Sequence, residues 1–285
     1  MACPYRLIVP SVLTHNSFEF FLDQLPSEDK LEKSEIILDL HLLTSLSPYG
    51  ALTLLLLSEY LKSFEVSLKT ESKKNHTAEQ FFSVWGLDRE ENSGISFCPG
   101  KESLGEKVFL PLTRISSEQD IYTVIDFVRD RLSLPQEQTY DLVVAISEIA
   151  QNILEHSRST GFVNIGKGST RILGKEVLNI CIGDAGIGIP SSLENKLRDC
   201  SKKELDRVAL YKTLFEGVSR HDDPGRGNGI IKTRGIIERH KGKMMLRSGR
   251  AKLWGNIASW QIERFMRKSL CFFPGTQVNL SFPLS

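Results

Sequence analysis

Short apolar runs alternate with amphipathic stretches along the first hundred residues. "YRLIVP" (5–10), "SEIILDL" (34–40) and "EVSLKT" (65–70) read as strands. "SFEFFLDQL" (17–25), "SPYGALTLLLLSEYLKSF" (47–64) and "TAEQFFSVWGL" (77–87) read as helices. The long one opens at Ser47 or Pro48, and the last is closed by Gly86. Strands alternating with helices predict an α/β arrangement. A polar, glycine-bearing stretch, "DREENSGISFCPGKESLGEK" (88–107), carries turn chemistry and little periodicity. The domain boundary is placed there, giving 1–107 and 108–285.

The second part opens on a strand, "VFLPLTRI" (108–115), followed by helices over Glu118–Leu132 and Glu137–His156. "GFVNIGKG", "RILGKEVLNICIGD", "KMMLRSGRAKLW" and "TQVNLSFPL" then supply strands. Several are neighbours with no helix between them, which predicts an antiparallel or mixed sheet. In the second helix Leu142, Ile146, Ile149 and Ile153 form an apolar stripe that would pack on that sheet.

Composition narrows the class. The chain has 285 residues, 40% hydrophobic and 25% charged, as in ordinary globular proteins. Its 36 basic and 35 acidic side chains leave a net charge of +1, so no global positive field recruits nucleic acid or anionic lipid. Five cysteines are scattered without CxxC spacing, which disfavours a zinc site or disulfide framework and suits a reducing, cytoplasmic setting. The longest apolar run, Ala51 to Leu57, is too short to span a bilayer, and no leader pattern opens the chain.

Four motifs carry candidate chemistry. Glu148, Asn152 and His156 lie four residues apart along one ridge of the second helix. Such residues often form a plain solvent face. Alternatively, a neutral amide oxygen at Asn152 suits Mg²⁺, and Glu148 suits a base. Asp184 ends the strand "VLNICIG", and Gly186 and Gly188 follow it. A tight turn explains this pattern; so does a carboxylate presented to an exocyclic amine, with glycines permitting close approach. Gly225, Gly227 and Gly229 alternate ahead of a helical pattern in "DDPGRGNGIIKTRGIIERHKG". They form either a hinge or a loop aiming backbone N–H groups at an anion. No GK[ST] follows, so this is not a Walker loop. Finally, Gly275 and Thr276 start the last strand, and Thr276 offers a hydroxyl.

In this order and spacing, ExxxN on a helix, DxGxG after a strand, GxGxG before a helix and GT before a strand resemble the four boxes of the GHKL ATPases. That superfamily includes gyrase B subunits, large heat-shock chaperones, histidine kinases and anti-sigma-factor serine kinases. The resemblance spans Val108–Ser285. It implies a two-layer α/β sandwich of the Bergerat type, with ATP between the helical layer and a mobile lid. It makes Asn152 the Mg²⁺ ligand, Glu148 the base or water-orienting group, and His156 a further nucleotide-side residue. It assigns Asp184 to the adenine amine, Gly186 and Gly188 to close adenine packing, and Thr276 to adenine through its hydroxyl. Gly225, Gly227 and Gly229 would cover the phosphates. The lid would run from Phe215 to Gly229, with Arg220 and Arg226 at the γ-phosphate. Asn228 departs from the apolar residue usual there. The helix Glu118–Leu132 contains no His to serve as a phospho-acceptor, which argues against a histidine kinase.

Residues 35–61 are similar to the STAS fold of anti-anti-sigma factors. Asp39 and Gly50 fit its pattern, but Pro48 or Tyr49 replaces the acceptor Ser, and Ser47 is displaced from it. That resemblance implies a smaller STAS-like α/β domain used for docking or dimerisation. Two function classes follow: an ATPase or serine/threonine kinase acting on a partner protein, and a nucleotide-gated interaction protein with negligible turnover. A homodimer is implied by family likeness alone.

Overall fold

The computed structural model describes residues 4–72, 76–90, 94–98, 108–169, 176–201, 204–220, 228–256, 260 and 270–284. The protein is mixed α/β, with both parallel and antiparallel pairing. Its chain divides into two units, 1–113 with 164–166, and 114–163 with 167–285.

The first unit contains β1 (Tyr5–Ile8), β2 (Val12–Leu13), α1 (Ser17–Leu22), β3 (Glu35–Asp39) and β4 (Ser45–Leu46). It continues with α2 (Pro48–Lys62), β5 (Ser67–Glu71), α3 (His76–Trp85), β6 (Leu87–Glu90) and β7 (Gly94–Phe97). β1, β3 and β5 form a parallel sheet in the order β1-β3-β5. Leu7, Ile36, Leu38 and Leu68 from these strands are buried. Every α2 residue from Pro48 to Ser58 is buried, which marks a helix at the centre of its unit rather than one on the surface. Its start is strongly specified. Ser47 is the N-cap: its hydroxyl accepts the Gly50 N–H at 3.0 Å and donates to the Leu13 carbonyl at 2.8 Å. Pro48 supplies the first-turn φ. The Ser47 hydroxyl is thus occupied by capping, and Pro48 and Tyr49 are buried beside it.

One expectation is corrected here. The stretch 88–107, read as a linker, begins with an antiparallel hairpin in which Leu87 pairs with Phe97 and Arg89 with Ile95. Main-chain pairing, and not side-chain periodicity, makes these strands.

The second part of the chain supplies β8 (Val108–Ile115), α4 (Glu118–Arg131), α5 (Gln136–Asn152), β9 (Gly161–Ser169) and β10 (Glu176–Asp184). Then come α6 (Gly188–Leu193), α7 (Leu205–Tyr211), α8 (Gly229–Arg239), β11 (Lys243–Gly249), β12 (Ala251–Gly255) and β13 (Phe273–Pro283). Within the second unit the strands run in the order β12-β11-β13-β10, successively antiparallel. The helices α4, α5 and α8 pack side by side, α5 against β10 and α8 against β11 and β13. The predicted stripe of α5 is the packed face: Leu142 and Ile146 are fully buried, and Ile149 and Ile153 nearly so. Each such side chain contributes about 1.5–3 kcal/mol of burial.

Polar ties fix this frame. Asp141 on α5, itself buried, accepts from Arg239 at 2.7 Å and meets His240 Nε2 at 2.8 Å. That pins the C-terminal end of α8 to α5. Arg247 on β11 is fully buried, yet its guanidinium donates to the carbonyls of Gly249 at 3.0 Å and Cys271 at 2.9 Å. It joins the end of β11 to the chain entering β13.

The α5 helix differs from expectation at its end. Regular α-helix stops at Asn152, and Ile153–Ser157 form a π-helical turn closed by Arg158 at φ 58°. The extra residue of the π turn brings the Ser157 carbonyl to the Ile187 N–H at 3.0 Å.

Candidate functional site

A cavity of about 380 Å³ lies within the second unit. Its walls come from α5 and the π turn, the β10–α6 corner, the segment 213–220, the start of α8, and β13. Glu148, Asn152, His156, Asp184, Gly188, Arg220, Asn228, Gly229 and Thr276 all line it. Of the residues singled out from the sequence, Gly225, Arg226 and Gly227 lie outside the described residues. Gly186 is not a lining residue.

Asp184 is the most constrained group. It ends β10 with 3% of its surface exposed. Its Oδ1 accepts the Gly186 N–H at 2.8 Å. Burial pushes its carboxyl up from the ordinary 3.8 to about 6, against the opposing pull of backbone N–H bonds from Gly186 and Thr276. The group is held in a nearly dry place.

Thr276 stands beside it because of strand register. β10 and β13 run antiparallel with Gly183 opposite Gln277. Gly275, at φ 72°, lets the strands close: a Cβ there would sit 2.1 Å from the Asp184 carbonyl oxygen. Gln277 Nε2 donates to that same oxygen at 2.9 Å. The Thr276 hydroxyl lies 3.2 Å from that of Ser248, which donates to Gly275 O at 2.6 Å and accepts the Ile189 N–H at 3.0 Å. Ser248 thereby links β11, β13 and the first turn of α6. Nothing in the local sequence marks it, since its role exists only once three segments meet.

Gly186 and Gly188 carry the expectation of admitting a flat ring. Their tight neighbours belong to the chain itself. A Cβ on Gly186 would sit 1.9 Å from the Ser157 carbonyl oxygen. Gly188, at φ 73°, would clash with Ser248 Oγ at 2.7 Å and with Gly275 O at 2.8 Å. Both glycines let the corner after β10 fold against the end of α5 and the start of β13.

Glu148 faces the first turn of α8. Its Oε1 pairs with Lys232 Nζ at 2.8 Å, and a Cβ on Gly229 would sit 2.5 Å from its Oε2. Lys232 lines the same cavity, although no sequence motif points to it. The pair is separated by 84 residues, so only the packing of α5 against α8 creates it. Farther along the ridge, Gln151 donates to Glu155 at 2.9 Å, and His156 Nε2 lies 3.7 Å from Glu155. Arg220 is exposed at the cavity wall.

The expected lid, Phe215 to Gly229, is corrected at its start. Lys212–Glu216 form a π-helical turn that ends at Gly217, φ 71°. The Phe215 ring packs 4.9 Å from Tyr211, 5.5 Å from Trp260 and 5.2 Å from the Arg234 guanidinium. Arg234 also donates to the Leu214 carbonyl at 3.0 Å. Phe215 and Glu216 are therefore helical residues, anchored at Phe215. Residues 221–227 lie outside the described residues.

Chemically, the cavity combines a buried acceptor, a neutral amide, a carboxylate paired with a lysine, and an exposed arginine. Among the described residues there is no cluster of three or more His, Cys, Asp or Glu side chains able to hold a metal ion. A cation here would need ligands from elsewhere, as Mg²⁺ takes from water and phosphate. No described helix is long and apolar enough to cross a membrane. Neither protein-family models nor curated proteins match this chain.

Proposed function

We propose that the second unit binds Mg-ATP in the manner of the GHKL ATPases and uses it to regulate a partner protein. The carrying observation is convergence. Glu148 and Asn152, Asp184, Asn228 and Gly229, and Thr276 come from four separated stretches, and all line one cavity. A set of unrelated turns and solvent faces has no reason to do so.

In this reading Asp184 accepts the adenine amine. Its burial favours the role, because a hydrogen bond to a carboxylate strengthens away from water. Ser248 orients Thr276 for the same ring. Asn152 fits the metal, since a neutral oxygen suits a hard cation that takes its other ligands from phosphate and water. Bound Mg²⁺ would neutralise phosphate charge. Glu148 accepts a proton from the attacking water or hydroxyl. Lys232, Arg220 and the N-terminal turn of α8 favour phosphate there. Dependence on ATP fits a cytoplasmic protein.

The first unit is proposed as a STAS-like docking module, monomeric or homodimeric, that lacks a phospho-acceptor. Buried Pro48 and Tyr49 and the capping role of Ser47 support that absence. A second reading, a nucleotide-gated switch with negligible turnover, is favoured by the Glu148–Lys232 pair, which occupies the carboxylate needed for chemistry.

Calorimetric titration with Mg-ATP, joined to a phosphate-release assay, separates the readings. Binding with turnover that vanishes in Glu148→Ala is the result expected of an enzyme. Binding without turnover in either protein selects the switch. No binding removes both.

A further inference from the structure

We propose that Lys232 is an exchangeable counter-ion. It neutralises Glu148 in the nucleotide-free chain and passes to the terminal phosphate of a nucleoside triphosphate, leaving Glu148 free to accept a proton. The inference rests on the nucleotide reading above and adds to it a residue that senses the third phosphate.

The geometry supplies both halves of the exchange. Lys232 and Glu148 line the same cavity with Nζ and Oε1 2.8 Å apart. The lysine side chain is 58% exposed and the glutamate 30%. An ion pair so open to water biases an equilibrium by at most about fivefold. A terminal phosphate offers about two negative charges and three acceptor oxygens, against a single charge on the carboxylate. It therefore outcompetes Glu148 for the ammonium. Lys232 sits in the first turn of α8, where the helix end adds its own preference for an anion. Its four-carbon stem is flexible enough to move without moving the helix.

Glu148 does not follow the lysine. Its other oxygen is backed against Gly229, where even a methyl group would come within 2.5 Å. Like-charge repulsion from the phosphate keeps the carboxylate from following its partner. A diphosphate, lacking the third group, gives Lys232 no reason to depart. The base would then be masked with product bound and unmasked only with a triphosphate.

The test is calorimetric, in the presence of Mg²⁺, with the β,γ-imido analogue of ATP and with ADP. The full chain is compared with Lys232→Met, Glu148→Gln and the double variant. Lys232→Met is expected to weaken the triphosphate analogue about tenfold and leave ADP within about twofold. Glu148→Gln is expected to tighten the analogue by up to about fivefold when Lys232 is present, and not at all in the Lys232→Met background. Equal tightening in both backgrounds assigns the effect to plain carboxylate–phosphate repulsion and overturns the exchange. Equal loss of both nucleotides in Lys232→Met overturns it too. If the unaltered chain binds neither nucleotide, the nucleotide reading fails and takes the exchange with it.

Discussion

Asp184 Oδ1 accepts the amide of Gly186 at 2.8 Å, while Gly186 itself is pressed against the Ser157 carbonyl. One carboxylate thus braces the turn that brings it to the cavity. This bond and burial act in opposite directions on its proton, and burial wins.

That balance has a sign. The folded chain raises the Asp184 carboxyl from 3.8 to about 6, so folding favours the neutral form. Its contribution to stability is complete below about pH 4 and is lost as pH rises through about 6. Asp184→Asn should therefore raise unfolding free energy at pH 8, by on the order of 3 kcal/mol at most, and change it little near pH 4. Urea unfolding at the two pH values measures this. A variant less stable at pH 8 than the native chain would show that the carboxylate is compensated in the fold.

Nucleotide affinity should run the other way. In the proposed nucleotide site an adenine amine bonds more strongly to a carboxylate than to a neutral carboxyl, so ATP binding should weaken as pH falls below about 6, by up to about tenfold per pH unit. Asp184→Asn should flatten that dependence and cost about 1–3 kcal/mol of binding at pH 8. A pH profile of Kd identical in the two proteins would remove Asp184 from the ligand.

Two glycines make a paired test of packing. Gly186→Ala forces a methyl into the Ser157 main chain and should destabilise by more than about 2 kcal/mol. Gly235, exposed within α8, has open space where a methyl would go, with no atom within 4 Å. Gly235→Ala should stabilise by about 0.5–1 kcal/mol through helix propensity. Thermal melts of both variants decide it; similar shifts would contradict the close approach at residue 186.

Asp141 tests the anchor of α8. It is buried and receives both Arg239 and His240. Asp141→Ala should cost about 1–3 kcal/mol, since a buried acceptor is removed from two donors, of which Arg239 can turn to water. Asp141→Asn should recover part of that by keeping one acceptor. Equal losses would mean that packing, not the polar tie, holds the helix end.

Much of this is legible from residue pattern, and the gaps have physical causes. The stripe Leu142, Ile146, Ile149, Ile153 announces a helix on a sheet because only one face can be buried. Asp184 can be singled out because it ends a strand beside glycine, whereas Thr276, expected to start the last strand, lies inside β13, which already begins at Phe273. The hairpin Leu87–Phe97 is hidden because Asp88, Arg89 and Glu90 show no alternation. The six residues of α6, GIPSSL, carry turn chemistry and still form a helix, started by positive φ at Gly188. Lys232 and Ser248 escape because their partners are 84 and 28 residues away, distances over which a local pattern says nothing.

The contact between Ser157 O and the Ile187 N–H acts as a caliper. Main chain meets main chain there, so the gap between the end of α5 and the corner after β10 does not depend on which side chains fill it. Asn152 and His156 can then be exchanged one at a time with the jaw width unchanged. Substitutions at those two positions should report on the chemistry of the cavity lining, not on a cavity that has changed its shape.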